Sequence, residues 1–392
     1  MTHSKYFFGL LVIFSVIFWV LPYRLRIWFL VLASSAYLMS IDPISTIAAG
    51  TWGLAVYILS RWTARSASIG PVAAVVLALL TFLAVFKYLP ALALPVATSI
   101  GLSAAVIPLG ISYYTFKLVH YAIESSRRNL PPHGLGDFLA YLWLFPTFSA
   151  GPIERMDHFL ENREVRWTTS MITEGLTRII YGLIKRFVLV ELVLAPLMAT
   201  HPTIRHLVVG LQDASILDVW RYLIFSYLVA YLDFSAYTDI AIGCSRLFGF
   251  TIMENFRLPI ASTNIAEFWR RWHMTLAGWC QQYVYMPIIG WTRNPYLAIY
   301  LTFITMGLWH AASLEWLAWA LYHATGVVVY NQWARRHRGS RAQPSVWKRV
   351  FGTSLTFLFV SAGYAFTTAH GQATVFDSFR VLVAAIGVRP LL

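Results

Sequence analysis

YLDFSAYTDIAIGCSRLFGFTIMENFRLPIASTNIAEFWRRWHMTLAGWCQQYVYMPIIG, residues Tyr231 to Gly290, gathers charge, histidine and tryptophan in a chain that is otherwise mostly apolar. Within it EFWRRWH (Glu267 to His273) sets an acid, two arginines and a histidine among three aromatic rings. A charged side chain at the centre of a bilayer costs at least ~2.5–3.5 kcal/mol, so lipid-facing helices avoid such a combination. The segment belongs in a cavity or at an interface. Outward from it, a second unusual histidine, His310 in MGLWHAAS, stands inside an apolar run from Tyr296 to Leu321. These two places are where chemistry is expected.

Composition supplies the setting. Of 392 residues 58% are hydrophobic and 12% charged, with a mean hydropathy of +0.62; soluble domains run about 45–50% apolar and about 25% charged. The chain reads as an integral membrane protein with many spans. Its net charge of +13 is not a nucleic-acid footprint, because the basic residues cluster between apolar runs. Arg24 and Arg26, Arg61 and Arg65, Arg127 and Arg128, and RRHRGSRAQPSVWKR (Arg335 to Arg349) alternate with those runs as the positive-inside rule describes. The alternation puts the basic loops in the cytoplasm and the N-terminus outside, with the last loop near anionic lipid. MTHSKYFFGLLVIFSVIFWVLPYRLR lacks a small-residue cleavage pattern and is read as a retained first span.

Apolar runs at 6–22, 27–40, 44–60, 71–87, 101–124, 217–232, 296–313, 315–333, 352–369 and 375–389 predict an all-α polytopic membrane protein. About ten or eleven transmembrane helices are expected, with re-entrant and interfacial helices around a central tunnel. FLAYLWLFPTFSAGPIERMDHF (Phe138 to Phe159) is broken by Pro146, Gly151 and Pro152 and predicts a segment that dips into the membrane and returns. A helix around 170–198 carries Arg178, Lys185 and Arg186 and is expected along the interface. Lys117, His120 and Glu124 are read as satisfied groups near the cytoplasmic boundary, with Lys117 snorkelling. Cys244 and Cys280 are read as packed residues, and His201 and His206 as solvated loop residues. No linker divides the chain, so one membrane domain is expected over residues 1–392, with its motif-bearing core at about 87–330.

Asn264 and Glu267 have the spacing of an N-capping pair, which predicts a helix carrying EFWRRWHMTLAGW. Trp269 and His273 would share one face of it with Leu276 and Cys280, while Phe268, Trp272 and Trp279 lie on another. Glu267 can reach Arg270 or Arg271. Taken alone, this fits an interfacial helix as well as a site. His310, flanked by Trp309 and by Ala311, Ala312 and Ser313, shifts the balance, since small neighbours permit a tunnel wall or a close helix contact. A neutral imidazole can take a proton from a hydroxyl and return it to a leaving group near neutral pH. His323 in ALYHATG is a further candidate, or else a group bonded to a neighbouring helix. No carboxylate or thiol stands at a spacing that would complete a zinc site.

Six motifs in order, PLGISYYTFK (Pro108 to Lys117), FPTFSAGPIER (Phe145 to Arg155), DFSAYTDIAIG (Asp233 to Gly243), GFTIMENFRLP (Gly249 to Pro259), EFWRRWHMTL (Glu267 to Leu276) and MGLWHAA (Met306 to Ala312), resemble the membrane-bound O-acyltransferase family. The similarity is to its bacterial branch, which serves alginate O-acetylation and teichoic-acid D-alanylation. It implies a bundle with a thin centre, where an acyl thioester (acetyl-CoA or a phosphopantetheine carrier) approaches from the cytoplasm and a hydroxyl acceptor from outside. It implies His310 as general base and His273 as the second histidine, orienting the acceptor or stabilising the oxyanion. Trp269, Arg270, Arg271, Trp309, Glu267 and Asn255 are the expected substrate-binding residues. Gln281 and Gln282 stand where the family carries an Arg-Asp pair, and Ala311 where it commonly has glycine. The expected activity is acetyl transfer to a cell-envelope polysaccharide in a bacterial cytoplasmic membrane, with an extracytoplasmic transfer protein as partner. D-alanyl transfer from a carrier protein is the alternative. A transporter or flippase, binding an anionic precursor through His310 and the arginine pair, is the reading from another class.

Overall fold

The computed structural model describes residues 6–63, 70–88, 108–164, 166–337 and 345–388. Among them there are helices and turns but no strand, and one isolated antiparallel bridge joins Arg163 to Phe250. An all-helical backbone is what lipid requires, because a helix satisfies its own N–H and C=O groups. The fold is that of an all-α polytopic membrane protein. Packing divides the chain into two compact units, Met1–Leu183 with Tyr237–Glu254, and Ile184–Ala236 with Asn255–Leu392.

The first unit opens with helices Phe7–Val20, Tyr23–Ile41, Pro43–Thr63 and Gly70–Lys87. The last three are long and apolar enough to cross a membrane; Phe7–Val20, at 14 residues, is shorter. The turn at Asp42 and Pro43 follows from local chemistry. Proline takes the first helical position, where its missing N–H is no loss, and the Asp42 carboxylate accepts the Ser45 N–H at 3.0 Å.

Residues Phe138 to Phe159 are broken as expected, into helix Leu135–Trp143, a 3-10 turn at Phe145–Thr147 and helix Met156–Glu161. Phe145, Phe148 and Phe159 are buried, so protein covers this irregular backbone. Lys117 corrects an expectation. It does not snorkel: its buried ammonium donates to the Tyr141 carbonyl at 3.1 Å and the Thr147 hydroxyl at 3.3 Å. The broken segment offers the partners that headgroups would otherwise supply. His120 Nε2 accepts the Met156 N–H at 3.0 Å, and buried Glu154 accepts the Met253 N–H at 2.7 Å. At Gly110, with φ +74°, a Cβ would stand 2.5 Å from the Phe148 carbonyl oxygen, so glycine alone lets helix Ile111–Ser126 start against this segment.

In the second unit helices Pro295–His310, Leu314–Arg336 and Val346–Ala369 run antiparallel in succession. Tyr300 meets Thr325 and Arg335 meets Tyr296 along the first pair. Glu315 approaches His370, while the Tyr322 hydroxyl donates to the Phe359 carbonyl at 2.9 Å, along the second. Gly307 permits the first pair to close, since a Cβ there would meet the Trp316 carbonyl oxygen at 2.6 Å. A core of Ile204, Leu207, Leu223, Ala365, Ala369 and Val381 packs helix Ile204–Val209 and the helix that starts at Ile216 against Val346–Ala369 and Val375–Ala385. Val346–Ala369 is long and apolar enough to cross by itself. Among the described residues four helices are long and apolar enough to cross a membrane; the ten or eleven spans expected from sequence would have to include helices of a more mixed kind, such as Leu314–Arg336, which carries Glu315, Arg335 and Arg336. Residues 338–344 of the polybasic loop and 101–107 of one apolar run lie outside the described residues. Cys244 and Cys280 are free and buried, as expected.

Candidate active site

The stretch around EFWRRWH does not fold as one helix. Asn264 caps it as the spacing predicts, its side chain accepting the Glu267 N–H at 2.8 Å, but helix Ile265–Trp269 ends after five residues. A second helix, Met274–Cys280, begins after a turn whose last residue, His273, is left-handed at φ 42°. Trp269 and His273 therefore do not share a helical face. Contacts from a distant strip of chain impose the break: the Met274 N–H donates to the Asn255 carbonyl at 2.9 Å, and the Arg257 N–H to the Arg271 carbonyl at 3.0 Å. The Asn255 side chain also accepts the Thr275 hydroxyl at 2.6 Å. A left-handed residue that is not glycine is uncommon and collects at functional sites.

That turn delivers His273 to a cavity of about 570 Å³ inside the second unit, within the range of small-ligand sites. His273, His310 and His323 all line it, with Phe268, Trp269, Trp272, Trp316, Trp319 and Tyr364 as aromatic walls. His310 ends helix Pro295–His310, and the turn at Ala311–Ser313 carries the chain straight back. Its imidazole consequently lies flat on the Trp316 indole, with centroids 4.0 Å apart and planes at 8°, and edge-on to Trp309 at 4.7 Å. Trp309 also stands 5.8 Å from His273, so one indole touches both histidines. His273 is 3% exposed, and its buried Nε2 has no hydrogen-bond partner among the described residues. Asp233 is the single carboxylate among the described residues lining the cavity, and its oxygen lies 3.2 Å from the Arg186 guanidinium.

The expected site residues separate into those that reach the cavity and those that support it. His310, His273 and Trp269 line it, and Trp309 packs against the first two. Asn255, 0% exposed, holds the turn from behind. Glu267 takes the Thr263 N–H at 2.8 Å and the Arg271 guanidinium at 2.6 Å, so the acid and one arginine close a local brace. Arg270 is exposed, and no lysine or arginine is among the described lining residues. The anion-binding arginine pair that a transporter would need is thus not presented to His310. Trp316, Trp319, Tyr364, Thr367 and Thr368 were not singled out from sequence. A local signal was available at Ser313, read there only as a small neighbour of His310: the Ser313 hydroxyl caps the helix by accepting the Trp316 N–H at 3.4 Å.

The model of the membrane-bound O-acyltransferase family matches residues 38–366. The chain belongs to that family. A probable alginate O-acetylase, AlgI, of Pseudomonas aeruginosa is 31% identical over 297 residues, covering 73% of this chain and 54% of its own length. A teichoic acid D-alanyltransferase of Bacillus subtilis is 30% identical over 275 residues, 65% of this chain and 67% of that protein. A peptidoglycan O-acetyltransferase of Helicobacter pylori is 26% identical over 319 residues, 72% of this chain and 58% of that protein. The chain spans about half the length of the alginate O-acetylase it matches.

Proposed function

We propose that the protein is a membrane-bound O-acyltransferase that moves an acyl group, acetyl in the first instance, from a cytoplasmic thioester to a hydroxyl of a cell-envelope polysaccharide. The observation that carries this reading is His310, held flat on Trp316 at the wall of an aromatic cavity that His273 also lines. His310 takes the proton of the acceptor hydroxyl as its oxygen attacks the thioester carbonyl. The tetrahedral intermediate then collapses, the C–S bond breaks, and the imidazolium returns the proton to the leaving thiolate. Positioned proton transfer of this kind is worth about 10²–10⁴ in rate, or roughly 3–5 kcal/mol. His273 orients the acceptor or meets the developing oxyanion, a role supported by its place in the cavity wall and by an Nε2 that has no partner among the described residues. The thioester, on coenzyme A or on carrier phosphopantetheine, is a co-substrate.

Two features support the direction of transfer and the acyl group. Exposed Pro202, His370 and Gln372 mark the cavity mouth, at the end of the unit opposite Arg335, Arg336, Lys348 and Arg349. By the positive-inside rule that mouth faces away from the cytoplasm, where a glycan and an extracytoplasmic transfer partner would meet it. Asp233, the one carboxylate among the described lining residues, is already paired with Arg186, which favours an uncharged acetyl over a D-alanyl ammonium. D-alanyl transfer is the second reading, favoured by the relative from Bacillus subtilis. The test is thiol release by the purified protein and its His310→Ala variant, with acetyl-CoA and with a D-alanyl carrier. A loss of at least about a hundredfold in a folded variant supports the mechanism; wild-type rates in the variant refute it.

A further inference from the structure

His323 belongs to no motif used so far, yet it has the surroundings of a ligand-binding group. It lines the same cavity as His310, from the middle of helix Leu314–Arg336. It is 2% exposed, and its buried Nδ1 has no hydrogen-bond partner among the described residues. Its walls are rings: Trp319 at 5.0 Å, Trp269 edge-on at 5.3 Å and Phe359 edge-on at 5.7 Å. On the remaining side helix Val346–Ala369 offers a glycine, and a Cβ at Gly363 would stand 2.8 Å from the His323 Nε2. The sequence alternative was a histidine bonded to the backbone of a neighbouring helix, and among the described residues its Nδ1 makes no such bond.

A buried polar group left unpaired costs about 1–3 kcal/mol. Phenylalanine would fill the same aromatic pocket without that cost. His273, another residue lining the cavity, likewise has a buried Nε2 without a partner among the described residues. A ligand that meets both needs hydroxyl groups for the two nitrogens and C–H faces for the flat indoles of Trp269, Trp316 and Trp319. A sugar residue has that combination, with its hydroxyls at the rim and its C–H groups on the faces.

We propose that His323 is a substrate-binding residue whose ring turns as the acceptor enters the cavity and exchanges a hydrogen bond through Nδ1, buried in the empty site, with a hydroxyl of the sugar that accepts the acyl group. This rests on the acyl-transfer reading above. His310 then handles the reacting hydroxyl, while His323 fixes a neighbouring one and so selects which hydroxyl is presented.

The test uses three variants of the full-length protein. H323F keeps the ring and removes both nitrogens, H323N places a polar atom near the position of Nδ1, and H323Q places one near that of Nε2. Thiol release from acetyl-CoA and from a D-alanyl carrier is followed while an alginate oligosaccharide, a peptidoglycan fragment and poly(glycerol phosphate) are varied in turn. Acceptor binding is measured separately, by tryptophan fluorescence without donor. The expected result is an acceptor KM and Kd raised at least tenfold in H323F and H323Q, restored to within about threefold in H323N, with the donor KM unchanged. H323F is expected to melt no lower than wild type, because an unpartnered nitrogen has been removed from a buried site. If H323F does not fold, the contrast between H323N and H323Q decides. Wild-type acceptor constants in H323F, or equal impairment of H323N and H323Q, overturns the proposal while leaving acyl transfer standing. A wild-type protein that neither releases thiol nor binds any of the three acceptors overturns the acyl-transfer reading, and this proposal with it.

Discussion

Gly307 is the position where a single methyl group should do most damage to the site without touching a polar atom. In Gly307→Ala the new Cβ would lie 2.6 Å from the Trp316 carbonyl oxygen and 3.1 Å from the Ala320 Cβ. Ordinary contact begins near 3.4 Å, so the shortfall against the carbonyl is about 0.8 Å. That oxygen is helix backbone and cannot swing aside as a side chain would. Helices Pro295–His310 and Leu314–Arg336 must therefore separate one turn before His310, where the His310–Trp316 stack has centroids only 4.0 Å apart. Overpacking of this sort costs about 1–3 kcal/mol in stability, and a misplacement near 1 Å can cost on the order of a hundredfold in rate. The expected outcome is a kcat for thiol release reduced ten- to a hundredfold with the donor KM unchanged, and a folded protein by thermal melt in detergent. Adding Ala320→Gly removes the 3.1 Å contact but leaves the carbonyl clash, so it should not rescue. A Gly307→Ala protein with wild-type kcat would show that the stack does not govern the rate.

Other substitutions probe the supports. Asn255→Ala deletes the acceptor of the Thr275 hydroxyl at 2.6 Å; stability should fall by about 1–3 kcal/mol, and thiol release should drop at least tenfold as His273 loses its fixed turn, measured by denaturant titration and steady-state kinetics. Trp316→Leu removes the ring beneath His310 and should lower kcat about tenfold, whereas Trp316→Phe, which keeps a flat face, should stay within a few-fold. His158 provides a pH signature in the first unit. The hydrogen bond to Glu154 at 2.8 Å raises its pKa above the ordinary imidazole value, and partial burial opposes the rise. A raised pKa means that its stabilising contribution is complete below the unfolded pKa of about 6.5 and is lost as pH climbs through the folded value. The melting difference between wild type and His158→Gln should be largest near pH 6 and shrink by pH 9; a difference that grows with pH contradicts the assignment.

What could be read from sequence, and what could not, divides along the range of the interactions. The helical membrane class, the break at Pro146, Gly151 and Pro152, and the capping of Asn264 all depend on composition or on neighbours within a few residues, and the structure has each of them. The break inside EFWRRWH was hidden because no glycine or proline marks it. It is made by Asn255 and Arg257, paired with residues more than a dozen positions away, and this long-range pairing overrides a good local helix pattern. Lys117 was misplaced for the same reason, since the partners that keep it buried are Tyr141 and Thr147. His310 stood out because its run is apolar. Trp316, Trp319 and Tyr364 did not, because tryptophan and tyrosine are frequent in any membrane helix and only the antiparallel pairing brings these ones to the cavity.

The most direct measurement of the central claim is the product itself. The purified protein would be incubated with acetyl-CoA carrying a 13C-labelled acetyl group and an alginate oligosaccharide, and the glycan analysed by mass spectrometry for base-labile labelled ester, alongside the His310→Ala variant. The account predicts labelled O-acetyl ester with wild type, formed in step with thiol release, and at least about a hundredfold less with a folded variant. Thiol release without labelled ester from wild type, or equal labelling by the two proteins, would contradict it.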